Sequence, residues 1–551
     1  MSAADASPAP PLRLDAAWLL VVVVVALYAL LAAHRADLPG IYMDEVNPDY
    51  LVPNALHHRT DLPTIRGALP GNFFNDRWPL MTSLYHGTQA FWLGLPLYAV
   101  VGTSALAVRG VHAAFAAGLI VAFCFALRAT RVPAWAWFGA ALGLATDPAF
   151  IFAFRTQSYL TLAPSAWLLL SLACLLAPAP WTRSRAPVAG ALYGLAVHGY
   201  FIYGFFAPAL LWIFWGMSPG RPRGVDARIA FRRWIIGMAL GYGFAIIGWI
   251  RLVWSVRDEG GIVAWLADYT RGLDPMQSQS LAERMATCWT YAARALTNSW
   301  NEGMMVSASL GDASTDAKVA ALTLLPVVVL GASFLGRRRP AALAAWVALL
   351  VSFFLASLIF GRRLGGHHFI VLVPILFAAF AAAAAEIAML IPRRAATIAF
   401  AGGLAAILGV QATHYMRDID VLQHTRGVGL MSDAIDRFAA AQDAERAPPV
   451  VVTPDWGLAM PLVTLTEGRV PTTFAMWPEL KRRVFCTAGR DLVYAVVAGD
   501  RAARIEEWRL WQDFAPPSRI EAWRQADGAV VFAAARFRAQ DNQAFCRRDH
   551  E

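Results

Sequence analysis

Apolar runs near twenty residues long recur along this chain, and no other feature restricts its fold as much. A charge-free run of that length, coiled as a helix, matches the ~30 Å hydrocarbon core of a bilayer. The first is "DAAWLLVVVVVALYALLAA". The runs lie at about 15–34, 105–128, 132–153, 159–179, 187–198, 201–216, 233–256, 318–336, 341–360, 367–391 and 395–412. With 58% hydrophobic and 15% charged residues over 551 positions, the chain falls outside the range of soluble globular domains. It reads as a polytopic α-helical membrane protein of about eleven spans.

Arginine supplies almost all of the basic charge, because Lys318 and Lys481 are the only lysines behind a net charge of +9. The arginines cluster between apolar runs and are not interleaved with aromatic residues, which excludes a nucleic-acid partner and points to topology. Placing Arg13, Arg128 and Arg131, Arg183 and Arg185, Arg221 to Arg233, Arg337 to Arg339, and Arg393 and Arg394 inside lets eleven spans alternate without conflict. The N-terminus is then cytoplasmic and the first helix is retained, since no small-residue cleavage site follows it. "GTQAFWLGLPLYAVVG", 87–102, becomes a helix at the outer membrane surface, and 187–198 with 201–216 a tilted or re-entrant pair.

Two loops, about 35–104 and 257–317, and everything after 412 are left outside. The expected division is a membrane domain, 1–412, and a soluble periplasmic α/β domain, 413–551. In the tail, "PVVVTP", "VPTTFA", "DLVYAVVAG" and "GAVVFAAARF" read as strands between helices, with Asp455 as an N-cap and Gly468 near a helix end. Cys486 and Cys546 share this domain on the oxidising side, so a disulfide is expected. No Cys/His spacing indicates zinc; no cofactor is expected, and a divalent metal has no support.

Ionisable groups near a membrane span are costly and commonly functional. Here they collect at the outer helix ends. Asp44 and Glu45 sit in "GIYMDEVNPDYLVPNALHH" after the first span, Asp147 and Arg155 flank the third, and His198 marks the turn of the short pair. Arg362, Arg363, His367 and His368 fall in "GRRLGGHHFIVLVP" between spans nine and ten. Singly, most of these have bland readings as caps or snorkelling cations. Together they suit transfer from a lipid-linked donor, since an outward-facing enzyme must receive its activated sugar on a membrane carrier. Asp44 suits the base that takes the acceptor's proton, and the Arg362, Arg363, His367, His368 group suits the departing phosphate.

The order of these features resembles the GT-C glycosyltransferases of the protein O-mannosyltransferase and aminoarabinose transferase type (glycosyltransferase family 39-like). It rests on "MDE" in a long first loop, "WPLMTSLYHGTQAFWLGLPLYAVVGTSALAVRGVHAAFAAGLIV", an arginine after span three and "HHFIVLVP", over roughly residues 10–410. The resemblance implies a multi-spanning inverting enzyme that uses a polyprenyl-phosphate sugar. It also implies Asp44 as catalytic aspartate with Glu45 beside it, Tyr85, His86 and Gly87 leading to a surface helix, Arg109 opening the second span, and His367 and His368 near the donor phosphate. The chain departs from the pattern after Arg155, where "RTQSYLTLAP" has no acid and leaves Asp147 or Gln157 as substitutes.

The expectation is a bacterial inner-membrane glycosyltransferase acting on a periplasmic protein, lipid or glycan hydroxyl. Asp44 and Glu45 are its catalytic residues, and Tyr85, His86, Arg109, Asp147, Arg155 and His198 contact substrate. A flippase for a lipid-linked glycan and a non-catalytic scaffold are the alternatives. A flippase would place its ionisable groups at the midplane of related halves.

Overall fold

The computed structural model describes residues 16–57, 78–82, 85–177, 184–217, 224–271, 279–338, 340–474, 489–497 and 517–541. Cys486 and Cys546, and hence the expected disulfide, lie outside them, as do "PELKRRVFCTAG" in part and "RIEEWRLWQDFA".

Among the described residues, six helices are long and apolar enough to cross a membrane: Ala105–Ala129, Ser158–Leu176, Ala313–Leu335, Ala341–Arg363, Gly366–Ile387 and Arg394–Thr425. A seventh arises if Val225–Gly241 and Gly243–Trp254, bent by 63°, make one broken span. The chain is a multi-pass membrane protein. The expected eleven are not reached by this measure, because several apolar runs fold as shorter or broken helices. The run at 132–153 breaks at Asp147, which ends one helix (Ala134–Thr146) and caps the next (Pro148–Ala153) by accepting from the Ala149 N–H at 2.9 Å. The run at 201–216 passes through 3-10, α and π turns. Residues 89–101 form a 13-residue helix, roughly 20 Å long, which stops at Gly102 with φ +74°.

One helix pair shows how composition directs packing. Arg185–Gly199 and Val225–Gly241 meet through two Gly-x-x-x-Gly stripes, Gly190/Gly194 and Gly237/Gly241. A Cβ on Gly190 would stand 1.9 Å from the Trp234 carbonyl oxygen, and one on Gly241 would stand 2.0 Å from that of Ala191. Only glycine permits this backbone approach, the usual device where lipid removes the hydrophobic drive between helices.

The last membrane helix, Arg393–Thr425, runs unbroken for 33 residues, roughly 50 Å, well past residue 412. Beyond it comes a mixed five-stranded sheet in the order β2 (Thr472–Phe474), β1 (Val450–Thr453), β3 (Leu492–Val497), β5 (Val530–Phe537), β4 (Arg519–Arg524). β2, β1 and β3 are parallel, whereas β5 and β4 run antiparallel. Helices Ala434–Asp443 and Trp456–Leu465 cover it with Ile435, Phe438, Leu458 and Leu462 against Val451, Val493 and Phe532. Asp455 caps the second of these through the Gly457 N–H. β4 was not expected: "RIEAWR" lies on an exposed edge and carries three charges in six residues.

This sheet unit is seated on the loop that follows the first helix. Met460 joins Ile41, Val46, Tyr50, Phe91 and Tyr98 in one apolar cluster, and the Tyr42 ring lies against Gly457. Gly40 donates to the Met431 carbonyl at 2.8 Å, and Thr103 to that of Thr464 at 2.6 Å.

Candidate active site

Asp44 and Glu45 occupy one 3-10 turn, Met43–Val46. With about three residues per turn, consecutive side chains diverge by roughly a third of a circle, and the two carboxylates enter different networks.

Glu45 turns inward. Both of its oxygens meet Arg109, Oε1 at 2.8 Å from Nε and Oε2 at 3.4 Å from Nη2, and both side chains are buried. Arg109 also donates to the Ala36 carbonyl at 2.9 Å. Burial pushes the Glu45 carboxyl upward against the pull of Arg109. Arg155 continues this clamp by donating to the carbonyls of Leu31, Ala32, His34 and Arg35 at 2.9–3.2 Å, where the first helix ends and its last carbonyls lack partners. Burial draws its guanidinium down to about 10, still charged at neutral pH. Asp436, from the sheet unit, faces Gly40 beside this clamp, and burial raises its carboxyl to about 7.

Asp44 turns outward and is half-buried. Its Oδ1 accepts from Asn47 Nδ2 at 3.1 Å, and Oδ2 has no hydrogen-bond partner among the described residues. Burial raises its carboxyl to about 6, with the Asn47 hydrogen bond opposing. Asn47 Nδ2 also reaches His86 Nε2 at 3.2 Å, so that nitrogen accepts, and Nδ1 carries the proton toward Thr82 Oγ1 at 2.7 Å. Burial lowers His86 to about 3 and keeps the ring neutral.

The series runs on through Tyr200. Residues 85–87 lie antiparallel to Gly199–Phe201, through Phe201 N–H to the Tyr85 carbonyl at 2.8 Å, which stacks His86 on Tyr200 with centroids 5.9 Å apart. The Tyr200 hydroxyl meets His368 Nε2 at 3.2 Å, and His368 Nδ1 accepts from the Gly365 N–H at 2.9 Å. His367 packs on His368, with Gln157 Nε2 3.4 Å from its Nδ1. Tyr85 stands exposed over this seam, edge-on to His86 and Tyr200. Beside Asp44, the Tyr50 hydroxyl and Asn47 Oδ1 are buried without hydrogen-bond partners among the described residues.

Of the expected residues, Asp44, Tyr85, His86, His367 and His368 therefore come together, with Gln157 behind them. Glu45, Arg109 and Arg155 form the clamp. Asp147 lies elsewhere, buried on Lys318 Nζ at 2.9 Å and Gln411 Nε2 at 2.8 Å. His198 stitches the Leu80 carbonyl to Gln89. Arg362 and Arg363 are exposed on a 3-10 turn that packs against the Leu281–Leu296 helix, outside the Asp44 series. Sequence reasoning missed Asn47 and Tyr50, which stand within the quoted first-loop segment, and gave Tyr200, at the turn after His198, no role in the site. It also missed Asp49, buried against Tyr98 at 3.0 Å and His112 at 3.2 Å. An apolar cavity of about 490 Å³ between Ala313–Leu335, Leu372–Ile387 and Arg393–Thr425 shares no lining residue with the Asp44 series.

No protein-family model matches the chain, and no curated protein matches it in sequence. Among solved structures it is similar to the single-particle cryo-EM structure of arabinofuranosyltransferase AftD from Mycobacteria, with 17% identity and a TM-score of 0.43. That match covers 86% of this chain and 35% of the other. A mutant of the same enzyme gives 17% identity and a TM-score of 0.41 over 87% and 36%. The chain thus spans about a third of the length of those structures.

Proposed function

We propose that this protein is a GT-C-type membrane glycosyltransferase that moves one sugar from a polyprenyl phosphate to an acceptor hydroxyl on the outer membrane face, with inversion. Its membrane domain, expected to end at 412, extends through the helix that closes at Thr425, and an outer α/β domain follows. The observation that carries the reading is the state of Asp44. In the first loop Glu45 and Asp49 are consumed by buried partners, whereas among the described residues Asp44 keeps one oxygen unpartnered beside the equally unpartnered Tyr50 hydroxyl and Asn47 carbonyl. A desolvated carboxylate raised to about 6 is a stronger base than one in water and is still mostly ionised at neutral pH.

In the reaction Asp44 Oδ2 takes the proton of the acceptor hydroxyl as the hydroxyl oxygen bonds to the anomeric carbon. The carbon–oxygen bond to phosphate breaks on the opposite side, and polyprenyl phosphate leaves with the electron pair. Tyr200, His367 and His368 line the seam running from Asp44 and supply donors for that phosphate. Glu45, Arg109 and Arg155 act by positioning, since they hold the Asp44 turn against the end of the first helix.

The test is turnover of a labelled polyprenyl-phosphate sugar by purified chain in detergent, where no compartments exist and a flippase would produce nothing. Asp44→Asn is expected to reduce transfer at least ~100-fold in a folded protein. Unchanged turnover by that variant removes Asp44 from the chemistry.

A further inference from the structure

A second polar centre, outside the Asp44 series, joins the second outer loop to the last membrane helix. Glu302 lies on the Ser299–Met305 helix, while His414 and Asp418 occupy successive turns of Arg393–Thr425 and so share one face. All three side chains are buried, and one donor atom from each lies within 4.8 Å of the others.

The remaining atoms of these side chains are already engaged, and that leaves three donors pointing at one centre. Glu302 Oε2 accepts from the Leu310 N–H at 2.6 Å, which turns Oε1 toward His414 Nε2 in direct contact. Asp418 Oδ2 accepts from Asn298 Nδ2 at 2.9 Å, and its Oδ1, 3.8 Å from His414 Nε2, is buried without a hydrogen-bond partner among the described residues. The other ring nitrogen of His414 meets Thr315 Oγ1 at 3.5 Å. Asn298 is fixed in the left-handed region at φ +68° and braced by Asn301 Nδ2 at 2.9 Å. Arg417, next to Asp418, is turned away to Asp312 and the Leu310 carbonyl.

We infer that Glu302 Oε1, His414 Nε2 and Asp418 Oδ1 form a divalent-metal site whose donor set suits Zn²⁺. One imidazole and two carboxylates are ordinary zinc ligands, with a fourth position for water. The Asn298, Leu310 and Thr315 contacts are the outer hydrogen bonds that orient metal ligands. A dication also neutralises two buried carboxylates, a charge that a single histidinium offsets only in part. Bound there, the ion fastens the second outer loop to the helix that leads into the sheet unit. Through Asn301, which accepts from Thr156 at 2.9 Å and Ser158 at 2.8 Å, it braces the segment carrying Gln157. The inference stands apart from the glycosyltransferase reading.

The experiment uses the full chain purified in detergent, stripped with a chelator and titrated with Zn²⁺ against a chromophoric competitor, with thermal unfolding in parallel. One Zn²⁺ per chain and a raised Tm are expected. His414→Gln and Asp418→Asn should each weaken binding at least ~10-fold. Failure of wild-type protein to bind Zn²⁺, or wild-type affinity in a folded variant, overturns the site. If either substitution blocks folding, Co²⁺-loaded wild type decides: hyperfine coupling to one imidazole nitrogen is expected, and its absence overturns the assignment.

Discussion

The two faces of the Met43–Val46 turn differ in the one property that separates a base from a brace. Glu45 is saturated by a buried arginine that is itself bonded to backbone carbonyls, whereas Asp44 has, among the described residues, one neutral donor and an unpartnered oxygen. Adjacent acids in a sequence are therefore not one functional unit. The geometry of the turn sends one into the packing and leaves the other with an oxygen that has no hydrogen-bond partner among the described residues.

This contrast can be broken most forcefully at the clamp. Arg109→Ala strands Glu45 as a buried charge without its partner, a change that costs about 3–5 kcal/mol, and should lower Tm sharply or prevent purification. Glu45→Ala should do the same from the other side. The double variant should lose less than the sum of the two, as a coupled pair requires. Asp44→Asn, by comparison, should leave Tm at neutral pH unchanged or raised. A carboxyl held at about 6, above its ordinary value, binds its proton more tightly in the folded protein. Its ionisation therefore costs stability as pH climbs from the unfolded value through 6, and asparagine removes that cost.

The pH profile of transfer sharpens the same contrast. As the proposed base Asp44 must be deprotonated, so the rate should rise with pH through a limb near 6. The Asn47 hydrogen bond holds that value down, so Asn47→Ala should move the limb to higher pH, readable in kcat/KM against pH. The smallest effect is expected at Tyr200→Phe, which removes only the hydroxyl that meets His368. One such hydrogen bond is worth about 0.5–1.5 kcal/mol, so a several-fold fall in transfer should appear in steady-state kinetics with little change in Tm.

Much of the frame was legible in the sequence. Apolar length announced the membrane helices, and strand and cap signals announced β1, β2, β3, β5 and the helix after Asp455. The Gly190/Gly194 and Gly237/Gly241 spacings were also readable, although only the structure pairs them. The break at Asp147 was not legible, because an acid inside an apolar run reads equally as a functional charge or as a cap. Its buried lysine comes from a helix 171 positions away. The centre at Glu302, His414 and Asp418 was equally hidden. His414 and Asp418 show helical spacing, but their third member is 112 positions from His414 and no cysteine signals it.

By itself, then, the sequence determined that this chain lives in a bilayer, that ionisable groups are few within the apolar runs and that an α/β unit follows the last helix. Hydropathy and local turn chemistry are properties of neighbouring residues, and neighbours are what a sequence displays. Only the tertiary structure decided which of those groups are free to react. Whether a carboxylate is spent or available depends on partners such as Arg109, His86 and Tyr200, brought to one turn by packing across the chain.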